Sequence, residues 1–224
     1  RAKKVIVATG SIERPLIFNN NDRPGIILSS AIKKYSDYYG VICGNENVLF
    51  TNNDSAYETA ISLFNKGIRV NAIIDIRDKV TSSIVNQAEK LGIKIYNSFT
   101  IVDTSGYRRI KNISIMKLSK DGQSVTGSKT QINCDCLGVS GGWTPAVHLF
   151  TQSGGKLKFD YDDNVFKPNK YPSDQISIGA CNGEFDLDTI IKNFNNNVKT
   201  YLGIEKTSYE NLNISASKEI LKKN

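Results

Sequence analysis

The stretch "NVLFTNNDSAYETAISLFNKGIRVNAIID", Asn47 to Asp75, constrains the fold more than any other part of the chain. Val48 to Phe50 is an apolar run short enough for a buried strand, and Ser55-x-x-Glu58 has the spacing of a capping box. The helix it would open carries Ala56, Ala60, Ile61, Leu63 and Phe64 on one broad face, and Gly67 stops it. "IRVNAIID" supplies the next strand, Ser82 to Leu91 a second helix ended by Gly92, and "IKIY" a third strand. Strands and helices alternating at this spacing imply parallel strands joined by crossovers.

The flanks extend this unit. Val5 to Ala8 reads as a buried strand ending in Thr9-Gly10, and "ERPLIFNNNDRPGI" as a loop by its prolines and glycine. Ser29 or Ser30 can cap a helix running to about Tyr39, with Gly40 just past its end. After "IKIY" the apolar period becomes two: "TIVDT", "RIKNISIMKL" and "SVTGSKTQINC" read as strands, with Asp121-Gly122 as a hairpin turn. "CDCLGVSGG" is one more buried strand. The fold class is therefore α/β: a parallel Rossmann-like sheet with helices on both faces plus a small antiparallel meander.

Where a dinucleotide fold carries G-x-G-x-x-G, this chain has Thr51, Asn53 and Ala56 at the glycine positions. Ala56 suits the third position, which lets helix and strand pack closely. Asn53 fills the second, where a pyrophosphate needs space, and Asp54 adds a negative charge beside it. That repulsion would cost on the order of a kcal/mol or more in a poorly solvated crevice. Asp75 ends the next strand within the window of about 20 residues where an acid binds an adenosine ribose. Arg77 and Lys79 could serve a 2′-phosphate, or Asp75 could simply close a strand. The loop keeps the scaffold and lacks most of the binding chemistry. A second strand–glycine–helix turn, Ile176 to Thr189 in "QISIGACNGEFDLDT", offers backbone N–H groups to an anion.

Composition narrows the partners. The net charge of +7 is spread along the chain among Asp and Glu, and no basic run alternates with aromatics, so nucleic acid is not expected as a partner. No run of 18 apolar residues and no leader-like segment occurs, which predicts a cytoplasmic chain with no membrane partner. Cys43, Cys134, Cys136 and Cys181 lack the spacing of a zinc site or a redox pair and read as reduced thiols. His148 stands in an apolar setting with no nucleophile motif beside it, as a packed or interface residue. Trp143, after Ser140-Gly141-Gly142, shapes a pocket, docks a partner subunit or packs in the core, and "QSGG" reads as a glycine turn, with an anion-binding nest as the alternative. No catalytic set is visible.

Several long strings, "ATGSIERPLIFNNNDRPGI", "YYGV", "LFTNNDSAYETA", "CDCLGVSGGWTPAVHLFTQSGGKLKFD" and "GACNGEFDL", closely resemble the alpha subunits of heterotetrameric sarcosine oxidases. The resemblance implies a complex that oxidises sarcosine to glycine, passes electrons through FAD and FMN to oxygen as hydrogen peroxide, and forms methylene-tetrahydrofolate. It implies beta, gamma and delta subunits as partners, amine oxidation in the beta subunit, and tetrahydrofolate in a domain after Asn224. It assigns 1–42 to the returning part of an incomplete first, NAD-binding domain, 43–145 to a second Rossmann-like domain with a degenerate loop, 146–204 to a return to the first, and 205–224 to a linker or tail. The NAD site would be split. This chain would supply Thr9 and Gly10, the closing turn Gly179, Ala180, Cys181 and Asn182, and the helix start at Leu187 and Thr189. One side of the dinucleotide implies weak or no NAD binding by the chain alone. The competing readings are an NAD(P)H-dependent FAD reductase, and the alpha subunit of a related amine or amino-acid oxidase or dehydrogenase acting on proline or an opine.

Overall fold

The computed structural model describes residues 2–203, so the expected tail, 205–224, lies outside the described residues. In chain order the first elements are β1 (Val5–Val7), β2 (Ser11–Glu13), β3 (Ile26–Leu28), α1 (Ser29–Tyr39), β4 (Asn47–Thr51), α2 (Ser55–Asn65), β5 (Val70–Asp75), α3 (Ser83–Lys90) and β6 (Ile95–Asn97). There follow β7 (Phe99–Ser105), β8 (Asn112–Leu118), β9 (Val125–Asn133), β10 (Cys136–Ser140), β11 (Trp143–Pro145), α4 (His148–Gln152), β12 (Lys156–Asp160), β13 (Val165–Lys170) and β14 (Gln175–Ser177). A 3-10 turn, Gly179–Asn182, precedes α5 (Leu187–Asn193), a π turn at Phe194–Val198 and α6 (Lys199–Leu202). Among the described residues, 2–12 with 143–203 form one compact unit and 13–142 a second. Residues 13–42, grouped with the first segment in the sequence reading, give β3 and α1 to the second unit.

The second unit is built on a five-stranded parallel sheet in the order β3-β10-β4-β5-β6. The returning strand β10 slots between β3 and β4, with Leu137 beside both Ile26 and Val48. Successive side chains on a strand point to opposite faces, so β4 serves two cores. Leu49 and Ile73 pack with Ile32 of α1, Tyr57, Ala60 and Leu63 of α2, and Val85 and Ala88 of α3. Val48, Phe50, Ala72 and Ile74 pack with Ile101, Ile113 and Ile115 of the meander β7-β8-β9. The α/β class stands, with one correction. Helices α1 to α3 cover one face only, and the meander replaces the expected helices on the other. Its inward isoleucines supply the apolar face that a helix would have given.

Local signals fared unevenly. Ser82, read as the first residue of the second helix, instead caps α3, its hydroxyl accepting from the Val85 N–H at 3.4 Å. Neither Ser29 nor Ser30 caps α1. β3 runs straight into the helix with extended Leu28 at the cap position, and the buried Glu13 carboxylate accepts from the Ser30 N–H at 2.9 Å. For α2 the cap position falls on Asp54, one residue before the expected Ser55, and carries no side-chain cap bond. Asn53 Oδ1 accepts from the Ser55 N–H at 3.0 Å and hydroxyl at 2.5 Å, while Glu58 faces Lys33 at 3.6 Å. Phe64 is 41% exposed, and α2 instead buries Tyr57 and Thr59.

In the first unit β1 and β14 lie parallel, with Val7 beside Ser177. β12 and β13 form an antiparallel hairpin in which Phe159 contacts Tyr161 and Phe166 edge-on, both at 5.0 Å between ring centres. Gly155, at the start of this hairpin, presses on Phe150 so closely that a Cβ there would lie 2.5 Å from the ring.

Candidate functional site

The loop after β4 sits at the carboxyl end of a parallel sheet, where open α/β folds hold ligands. Here its own side chains fill that position. The Thr51 hydroxyl bonds the Asn53 backbone, and Asn53 Nδ2 donates to the Ser140 carbonyl and hydroxyl, both at 3.1 Å. Asn53 is 4% exposed and Ser140 fully buried. A side chain that satisfies the turn from inside replaces the backbone donors a glycine loop would turn outward.

Arg77 completes the closure. Its guanidinium reaches Asp54 at 2.8 Å and Asp75 at 2.7 Å, and Asp75 also accepts from the Tyr57 hydroxyl at 2.8 Å. All four side chains are buried. Burial opposes the charge of Arg77, but hydrogen bonds and attraction from Asp75, then Asp54, outweigh it and hold the group protonated. Burial, followed by the Asp75 charge, pushes the Tyr57 phenol up, so it remains a donor. Asp75 and Arg77, the two candidates for the adenosine end, are thus spent on each other, and Lys79 stays exposed. The strand-closing reading of Asp75 is the one the geometry supports. Tyr57 and Ser140 were missed in the sequence; the available signal was a tyrosine placed three residues after Asp54 on the helix face that packs inward.

The second turn, in the other unit, is organised differently. Because β1 and β14 are adjacent and parallel, Thr9-Gly10 and Gly179 leave the same end of the pair. Gly10 and Gly179 hold φ of 73° and 71°, the left-handed region that favours glycine, and a Cβ at Gly10 would meet nothing within 4 Å. The side chains around them are engaged. Thr9 Oγ1 donates to the Ala146 carbonyl at 2.6 Å, and the buried Cys181 thiol donates to the carbonyls of Val7 and Ile178 at 3.3 and 3.1 Å. Asn182 accepts from the Tyr171 hydroxyl at 2.6 Å, and Asp186 accepts from both the N–H and the hydroxyl of Thr189, at 3.0 and 2.7 Å. Ala180 is half-buried and Leu187 is 45% exposed. What this turn provides is left-handed backbone at two glycines, Gly10 half-buried and Gly179 buried, with Leu187 as an apolar residue beyond them.

The remaining motifs are structural. Gly141 and Gly142 let the Arg14–Pro15 segment cross: Arg14 donates to the Gly142 carbonyl at 2.8 Å, Gly141 donates to that of Arg14 at 2.6 Å, and a Cβ at Gly141 would lie 2.8 Å from the Pro15 carbonyl oxygen. Trp143 begins β11 and is half-buried. His148 is exposed rather than packed, because α4 turns Phe150 inward in its place. All four cysteines are free thiols, and burial raises those of Cys134 and Cys136 to about 12, far from a reactive thiolate. Among the described residues no cluster of His, Cys, Asp and Glu could hold a metal, and no helix is long and apolar enough to cross a membrane.

The fold is mixed α/β and resembles that of solved Rossmann-like proteins. The crystal structure of T. acidophilum thioredoxin reductase matches with a TM-score of 0.65 and 19% identity, over 90% of this chain and 64% of that one. No family model matches. By sequence, the chain is homologous to a segment of sarcosine oxidase subunit alpha. The subunit of Corynebacterium sp. (strain P-1) is 37% identical over 188 residues, 83% of this chain and 19% of that protein. That of Corynebacterium sp. (strain U-96) is 34% identical over 186 residues, again 83% of this chain and 19% of its own. The chain spans about a fifth of the length of these curated relatives.

Proposed function

We propose that this chain works as the cofactor-binding and scaffold segment of a sarcosine oxidase alpha subunit. The observation that carries the proposal is the 37% identity with such a subunit across 83% of the chain. In the complete enzyme the overall reaction is the two-electron oxidation of sarcosine, with oxygen reduced to hydrogen peroxide and the methyl carbon captured by tetrahydrofolate. FAD and FMN carry the electrons, and the beta, gamma and delta subunits are the partners. The enzyme is an oxidoreductase acting on a CH–NH donor, and this chain contributes no catalytic residue of its own.

In this reading the NAD site lies at the shared end of β1 and β14. NAD supplies a hydride-accepting ring and a diphosphate that needs close backbone approach. Gly10 and Gly179 fit that need, since both hold left-handed backbone and Gly10 is open beyond its Cα. Thr9, Ala180, Cys181, Asn182 and Thr189 act by fixing the turn, because the hydrogen-bonding side chains among them already bond to protein groups. Leu187 supplies an apolar wall. The competing NAD(P)H-dependent flavin reductase draws on the fold alone, and the buried, unreactive thiols speak against a disulfide-reducing version of it.

Isothermal titration of NAD against the 224-residue chain and against a version extended upstream tests the site. The extended protein should bind more tightly; equal affinity would overturn the split-site assignment. Sarcosine-dependent peroxide formation by the assembled complex tests the substrate, and its absence would refute it.

A further inference from the structure

Past the carboxyl ends of β5 and β6, the second unit holds a cleft of about 660 Å³ that the closed turn after β4 does not fill. Its walls are the strand ends on one side and the β8–β9 hairpin on the other. Clefts of roughly 300–1,000 Å³ with apolar walls and a few converging polar groups are the usual size for a small ligand. The chemistry of the lining is mixed in a particular way. Ile76 and Leu118 give apolar surface for a flat ring, Asp78 and Asp121 give hydroxyl acceptors, and Lys117 and Lys120 give cationic charge. Neither lysine side chain has an ion-pair partner among the described residues.

The base of the cleft is also strained. Ser98 lies at φ 59°, uncommon for a residue with a side chain, and three hydrogen bonds hold it there. Its N–H donates to the Arg77 carbonyl at 2.9 Å, its carbonyl accepts from Leu118 at 2.7 Å, and its hydroxyl donates to Asp78 at 2.7 Å. These bonds tie both walls together, so the gap between them is fixed rather than collapsed. A dinucleotide is disfavoured, because the route from this cleft toward β4 and β10 is blocked by Arg77, Asp54 and Asn53.

We propose that this cleft binds a nucleoside monophosphate: the base between Ile76 and Leu118, ribose hydroxyls toward the carboxylates, and the phosphate on Lys117 and Lys120. The site is separate from the NAD reading of the first unit and stands or falls independently of it. The test is calorimetric titration of the intact chain with AMP, together with methyl NMR of Ile76 and Leu118. AMP should bind saturably and shift both methyls, and Lys117→Ala/Lys120→Ala should weaken it at least about tenfold, as loss of charge-assisted phosphate contacts predicts. The melting temperature of this surface variant should be unchanged, since neither lysine is buried. No AMP binding, binding unaffected by the double substitution, or inorganic phosphate binding as tightly as AMP would each overturn the proposal. NADPH binding this cleft as tightly as AMP would overturn the exclusion of dinucleotides. A weak or absent NAD signal elsewhere bears only on the first unit.

Discussion

The two units treat the same position, the carboxyl end of adjacent parallel strands, in opposite ways. After β14 the chain turns through Gly179 and, after β1, through Gly10, both in left-handed backbone, with open space beside Gly10 and Ile190 at contact distance from buried Gly179. After β4 it turns through Asn52, Asn53 and Asp54; the Asn53 side chain folds in to meet Ser140 and that of Asp54 meets Arg77. Strand order and direction alone therefore do not make a dinucleotide site. The atoms at the turn decide whether its donors face a ligand or the protein.

The largest effect should come from breaking the closed turn. Arg77→Met leaves the carboxylates of Asp54 and Asp75 buried without their cation, and should cost about 3–5 kcal/mol of stability in chemical denaturation. A loss below about 1 kcal/mol, the range of exposed pairs, would mean that water reaches the network and that the crevice is not sealed. Next is the close contact in the first unit. Gly155→Ala puts a methyl against the Phe150 ring and should cost about 1–3 kcal/mol by overpacking, read from the same experiment.

The open turn gives a smaller, functional effect. In the assembled complex Gly179→Ala should cost about 1–2 kcal/mol of stability, the left-handed backbone penalty, and weaken NAD binding where the turn shifts to relieve it. Unchanged affinity would remove Gly179 from the site. Smallest is a pH effect at the β12–β13 hairpin, where the Lys167 ammonium holds the Asp160 carboxyl at about 2. Because the folded value is depressed, the contribution is full above the unfolded value of about 3.9 and disappears as pH falls through the folded one. Carboxyl NMR should place the Asp160 midpoint near the low value and move it up in Lys167→Ala; an unmoved midpoint would exclude Lys167 as the cause.

Much of the second unit was legible in advance because its signals are local. A period of two or of 3.6 and a glycine stop are written in neighbouring residues, and β4, α2, β5, α3, β6 and the meander fall close to where those patterns lie. The caps of α1 and α2 were misread because their partners come from elsewhere. Glu13 stands far from Ser30 in sequence, and Asn53 precedes the helix rather than opening it. For the turn after β4, composition identified the obstruction at Asn53 and Asp54 but not what answers their polarity.

By itself the sequence determined that strands and helices alternate, that the turn after β4 lacks the glycines of a dinucleotide loop, and that the chain shares long strings with the sarcosine oxidase alpha subunits. Only the tertiary structure decided that a meander, not a second helical layer, covers the far face, and that Arg77 joins Asp54 to Asp75. It alone set Gly10 beside Gly179 at one end of a parallel pair. The reason is physical: hydrogen-bonded periodicity is fixed by residues a few positions apart, whereas a buried charge must find its partner through space, wherever the sheet brings one.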